Sequence, residues 1–174
     1  MGTRDELSVS LCRSILAEFG YSSRQCERLL VEGTPEDMLQ KLSDAILASK
    51  FGLSMDWRGE LEEEFLEPLT EIAERLSVEF EFETDEDDPD QADVTITAGL
   101  KSRMARVCYR PNKDSLDDVA KVIQKASGGQ LIFHSLRIYE GSDTYCYAVL
   151  SPTLWASVKT AAGSAFGSIF AELK

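Results

Sequence analysis

The chain has 174 residues, of which 43% are hydrophobic, and carries 31 acidic against 18 basic side chains, a net charge of −13. A chain of that length and apolar content buries roughly two-thirds of its unfolded surface, which argues against intrinsic disorder, and no apolar run approaches the roughly 20 residues of a membrane span. The negative charge repels phosphate, so direct nucleic-acid binding is not expected.

Met1-Gly2-Thr3-Arg4-Asp5-Glu6 places charges where a signal peptide needs an apolar run, so a cytoplasmic location without a membrane partner is expected. Between Arg4 and Phe19, Leu7, Leu11 and Ile15 recur at helical spacing, and Gly20 supplies a left-handed stop. Ser22 or Ser23 caps a second helix that turns Cys26, Leu29 and Leu30 inward and closes at Gly33. Thr34-Pro35-Glu36-Asp37 combines a capping hydroxyl, a proline in the first turn and acids at the positive end of the dipole. It predicts a third helix through Met38, Leu42, Ile46 and Leu47 that stops at Phe51-Gly52. Residues 1–54 thus read as a helical module packed on the rest, and no strand is expected before Met55. Phe19-Gly20-Tyr21-Ser22 resembles the hydrophobic loop of ubiquitin-associated-type three-helix domains; an ordinary helix-turn-helix corner explains it as well.

Trp57 lies in a connection, after which Leu61, Phe65, Leu69, Ile72 and Leu76 form one stripe of an amphipathic helix. Pro68 interrupts it; an interior proline costs about 3 kcal/mol, so a kink or a break with Pro68 opening a new helix is predicted. Val78, Phe80 and Phe82 alternate with Glu79, Glu81 and Glu83, the pattern of a strand whose carboxylates repeat at roughly 6.7 Å along one face. Thr84-Asp85-Glu86-Asp87-Asp88-Pro89-Asp90 is too polar and proline-interrupted to continue it and reads as an exposed loop. Strands over Asp93–Ala98 and Met104–Tyr109 complete a meander. A capping signal at 114–118 opens a helix through Leu116, Val119 and Ile123 that ends at Gly128-Gly129. Leu131–Tyr139 and Thr144–Leu150 read as a hairpin, and Ser151-Pro152-Thr153 opens a last helix through Leu154, Val158 and Ala162 toward Ile169. The expected fold class is α+β: a three-helix module, then α-β-β-β-α-β-β-α over 55–174 with a five-stranded antiparallel sheet, the two parts forming separate domains or a single unit.

The charge is local. Between Asp56 and Asp93 seventeen acids face two bases, Arg58 and Arg75, a net −15, while the remaining residues sum to about +2. Catalytic chemistry has little to work with: His134 is the one histidine, it alternates with apolar neighbours in a strand, and no nucleophile elbow or phosphate-binding loop is present. Cys12, Cys26, Cys108 and Cys146 are irregularly spaced and read as buried free thiols. The run from Asp85 lacks the sixth-position glycine and twelfth-position glutamate of a calcium loop, having Asp90 and Ile96 there. No catalytic residue, cofactor or metal is therefore expected. Lys101, Arg103, Arg106 and Arg110 give a basic strand, read as an exposed edge or a counter-charge to the acidic strand.

Met55-Asp56-Trp57 before an acidic helix, and Gly141-Ser142-Asp143-Thr144-Tyr145-Cys146-Tyr147 before Pro152 to Trp155, together resemble the small acidic bacterial immunity proteins that neutralise secreted toxins. The order α-β-β-β-α-β-β-α also resembles type III secretion chaperones, from which the three added N-terminal helices depart. Neither resemblance transfers a functional residue. What they imply is a non-catalytic acidic protein that binds a basic partner, a toxin or an effector, as monomer or dimer; the alternative is a structural domain whose acids only keep it soluble. The residues expected to meet the partner are Trp57, Glu79, Glu81, Glu83, Asp85, Glu86, Asp87, Asp88 and Asp90.

Overall fold

The computed structural model describes residues 7–31 and 33–173; the expected start of the first helix at Arg4 and the charged opening at 1–6 lie outside them. Helices α1 (Val9–Glu18), α2 (Ser23–Leu29) and α3 (Pro35–Leu47) form where the caps predict. Ser8 caps α1, while Ser22 with Gln25 and Thr34 with Asp37 close reciprocal capping boxes that satisfy otherwise orphaned N–H groups. Two further helices follow the second half of the predicted order: α4 (Glu67–Arg75) and α5 (Leu116–Ala126). Near the C-terminus come α6 (Pro152–Ala162) and the short α7 (Phe166–Ile169).

The strands, in chain order, are β1 (Gly52–Asp56), β2 (Glu79–Asp85), β3 (Asp88–Ala98), β4 (Lys101–Cys108), β5 (Ile132–Leu136), β6 (Thr144–Leu150) and β7 (Phe170–Glu172). All pairings are antiparallel, so the α+β class holds. In place of one five-stranded sheet, however, there are two: β1-β6-β5-β7 and the meander β2-β3-β4. The pairing β5 and β6 were expected to find in the meander is supplied instead by β1 and β7. Both are too short for periodicity to mark strongly. Leu53 and Met55 do alternate with Ser54 and Asp56, buried against exposed, and Gly52 fits because a Cβ there would stand 2.0 Å from the Leu47 carbonyl oxygen. A strand thus begins before Met55, and a division at 54/55 falls inside it.

Three local expectations also change. The polar 84–90 segment is no loop: β2 turns into β3 through Glu86-Asp87 alone, with Asp85 opposite Asp88 and a register shift at Thr84/Asp85 that absorbs Pro89 and its neighbours. The helix around Pro68 is a π-helical stretch, Leu61–Leu66, that runs directly into α4 with Pro68 in its first turn. The Glu67 N–H reaches back five residues to the Glu62 carbonyl. β5 ends at Leu136 and Arg137–Tyr139 is a 3-10 turn, while α6 stops at Gly163, whose φ of +55° other residues avoid.

The four-stranded sheet separates two cores. Its one face, with Leu136, Cys146, Ala148, Leu150 and Phe170, packs on α1–α3 and α6 through Ile15, Leu16, Leu42, Ile46 and Trp155. Its other face, with Leu53, Met55, Phe133, Tyr147 and Val149, packs on the π/α4 segment, α5 and the inner face of the meander, where Phe80, Val94, Ile96 and Val107 point. The meander's outer face carries no core residue, and it is there that the acidic side chains emerge.

Candidate partner-binding surface

Alternation decides which side chains face water. On β2, Val78, just before the strand, and Phe80 are buried and Phe82 is half-buried, while Glu79, Glu81 and Glu83 are exposed. The ladder sets these three opposite Thr97, Thr95 and Asp93 of β3, which in turn face Ser102, Met104 and Arg106 of β4. Directly opposed residues share a face, so the outer surface runs from an acidic row to a mixed one, with Met104 76% exposed near its middle.

Two of the nearby bases are paired with acids. Arg106 makes a two-pronged contact to Asp93 at 2.8 and 2.7 Å, which raises its own pKa and holds the Asp93 carboxyl below the usual range. Arg110 meets Asp88 at 2.5 Å; the Gln91 amide, first, and then this guanidinium hold the Asp88 carboxyl low. Arg103, on the inner face, donates to the Lys125 carbonyl at the end of α5. The basic strand thus serves partly as counter-charge, but to the acids of β3 rather than to those of β2. Among the described residues, the carboxylates of Glu79, Glu81, Glu83, Glu86, Asp87 and Asp90 have no ion pair. Asp85 accepts the Asp87 N–H within the turn. Of the expected contact residues, Asp88 is therefore the one whose charge is neutralised internally.

Trp57 lies just past β1, half-buried, with the Arg58 guanidinium 4.4 Å above its ring. Its N–H donates to the Asp143 carbonyl. Tyr109 ties it to the acidic hairpin: the Tyr109 N–H donates to the Asp90 carbonyl at 2.9 Å, and its hydroxyl donates to the Trp57 carbonyl at 2.6 Å. Burial pushes the Tyr109 phenol's pKa up, so it remains a donor. Trp57 is thus brought to the turn end of the hairpin, whereas Glu79 stands at the other end of β2, roughly 20 Å along the strand from Asp85. Tyr109 escaped the sequence reading because a tyrosine closing an apolar strand looks like ordinary core.

Elsewhere, His134 packs edge-on against Trp155, ring centroids 4.3 Å apart, and burial lowers its pKa. Cys12, Cys26 and Cys146 are buried free thiols, and Cys108 is half-buried beside Arg110. No cluster of His, Cys, Asp or Glu among the described residues is placed to hold a metal, and no helix among them is long and apolar enough to cross a membrane. No protein-family model, curated protein or solved structure matches the chain.

Proposed function

We propose that this is a non-catalytic binding protein that captures and blocks a basic protein partner, in the manner of an immunity protein acting on a toxin in the cytoplasm. The observation that carries the reading is the row Glu79, Glu81 and Glu83, three exposed carboxylates on one strand face without an ion pair among the described residues, while Arg106 and Arg110 are held by Asp93 and Asp88. Uncompensated charge of one sign focuses a field that raises association rates with an oppositely charged partner by 10–10³-fold. A nuclease must present cations to phosphate, and such a row offers those cations competing carboxylates. Trp57, held at the hairpin end by Tyr109, supplies an aromatic surface for the slower dissociation that charge alone does not give.

The partner to test is a basic protein encoded in an adjacent reading frame. Expressed alone it should arrest a bacterial host, and co-expression of this chain should rescue growth. Reversing Glu79, Glu81 and Glu83 to Lys should slow association at low salt by at least about tenfold and flatten its salt dependence. An unchanged rate would reduce the acidic row to a solubilising surface and end this reading.

A further inference from the structure

Strand β2 is paired on one side only. β3 occupies its inner edge, and no backbone hydrogen bond joins Glu79–Asp85 to any other described element. An open edge is a template for another strand, and here it is not covered. Two adjoining depressions share Thr70, Phe80 and Glu81: one of about 490 Å³ lies between Thr70 and Glu74 of α4 and the start of β2, and one of about 630 Å³ runs from Thr70 past Phe82 and Glu83 onto the outer face at Asp93, Thr95 and Met104. Phe82, half-buried beside the buried Phe80, gives this groove an apolar floor.

We propose, on the basis of the basic-partner reading above, that the partner is held by strand addition: an extended segment of it pairs with the free edge of β2. A strand added there lies roughly 4.8 Å from β2 and sends alternate side chains to opposite faces. One set stands beside Glu79, Glu81 and Glu83 on the outer face; the other enters the groove toward Phe82 and Thr70. The segment that fits alternates basic and apolar residues, since opposite charges facing one another across strands stabilise and like charges destabilise. The same rule argues against a second copy of this chain, because pairing β2 with β2 would set glutamates against glutamates. Main-chain hydrogen bonds supply affinity in this mode, and the alternating pockets supply selectivity.

The test uses two peptides of the length of β2, 7 residues, with identical composition: Lys-Val-Lys-Val-Lys-Val-Lys and Lys-Lys-Val-Val-Val-Lys-Lys. The alternating peptide should bind the full chain about tenfold more tightly at low salt and slow amide exchange in β2. Thr70→Trp, which fills the groove without altering charge, should abolish that preference and leave the weak binding of the blocked peptide intact. Glu79, Glu81 and Glu83 replaced by Gln should weaken both peptides while circular dichroism stays native. Equal affinity of the two peptides, or no protection in β2, overturns strand addition but leaves the basic-partner reading standing on its salt dependence. Failure of both peptides to bind overturns both, and the glutamates then serve to keep an open edge from aggregating. Self-association at low salt that Glu81→Lys abolishes would assign the edge to a second copy and overturn the proposal as well.

Discussion

His134 lies on β5 with its ring wedged against Trp155 and Phe166, and its Nδ1 has no hydrogen-bond partner among the described residues. Desolvation dominates its environment; Lys159 adds to the downward pull on its pKa, while the Ala171 backbone and Glu172 oppose it. The folded state therefore binds the proton less readily than the unfolded chain, whose imidazole titrates near 6.5. Below that value the unfolded state holds more protons, so stability is full above it and falls as pH drops through the window beneath it. The low-lying carboxyls of Asp37, Asp88 and Asp93 act elsewhere: their contribution is present above the ordinary value of 3.8 and is lost only at lower pH. Urea midpoints at about pH 7.5 and about pH 5.5 isolate the histidine. The midpoint should be lower at the acid value, and His134→Gln should narrow the gap; a gap unchanged by the substitution would assign the acid loss to another group. Alternation placed this side chain in a strand, but the aromatic wall around it comes from α6 and α7, which sequence spacing does not bring to β5.

At the scale of elements, Pro68 separates the pattern of a helix from its geometry. Leu61, Phe65, Leu69 and Ile72 are all buried, as one helical stripe demands, although the backbone beneath them changes from π to α between Leu66 and Glu67. The wider π turn runs directly into α4 and precedes Pro68, where the ring would otherwise meet the carbonyl four residues back. Pro68→Ala should therefore leave stability within about 0.5 kcal/mol of the parent by urea denaturation. A gain near the roughly 3 kcal/mol of an interior proline would mean that the π turn does not relieve the clash. The long elements were legible because caps and periodicity agree: α3 opens at Pro35 after Thr34, α5 at Leu116 after Ser115, and β6 spans Thr144–Leu150 as its β-branched and aromatic residues indicate. β1 and β7 were not, since five and three residues give alternation too little length to stand out, and their place in the sheet depends on partners distant in the chain. The acidic row was legible from period two alone. The open edge beside it was not, because a sequence gives strands without their order.

In the whole molecule the four-stranded sheet is shared property. Along β6, Cys146, Ala148 and Leu150 enter the core built with α1–α3 and α6, while Tyr147 and Val149 enter the core beneath the meander. Melting the meander side alone would bare Leu53, Met55, Phe133, Tyr147 and Val149, all at most 2% exposed in the fold. At about 1.5–3 kcal/mol for each large side chain, the cost is of the order of 7–15 kcal/mol, comparable with the entire stability of a typical domain. The two cores should therefore unfold together, and the surface bearing Glu79, Glu81 and Glu83 is held by the whole fold rather than by the meander alone. The two tryptophans test this, since Trp155 is buried in the helical core and Trp57 sits at the end of β1 beside Tyr109. Trp57→Phe and Trp155→Phe leave one fluorophore in each region, and each variant's fluorescence transition in urea should coincide with its own loss of circular dichroism at 222 nm. A fluorescence transition displaced from the circular dichroism transition, in either variant, would mean that the helical layer and the meander side part at the sheet, and that residues 1–54 behave as a module of their own.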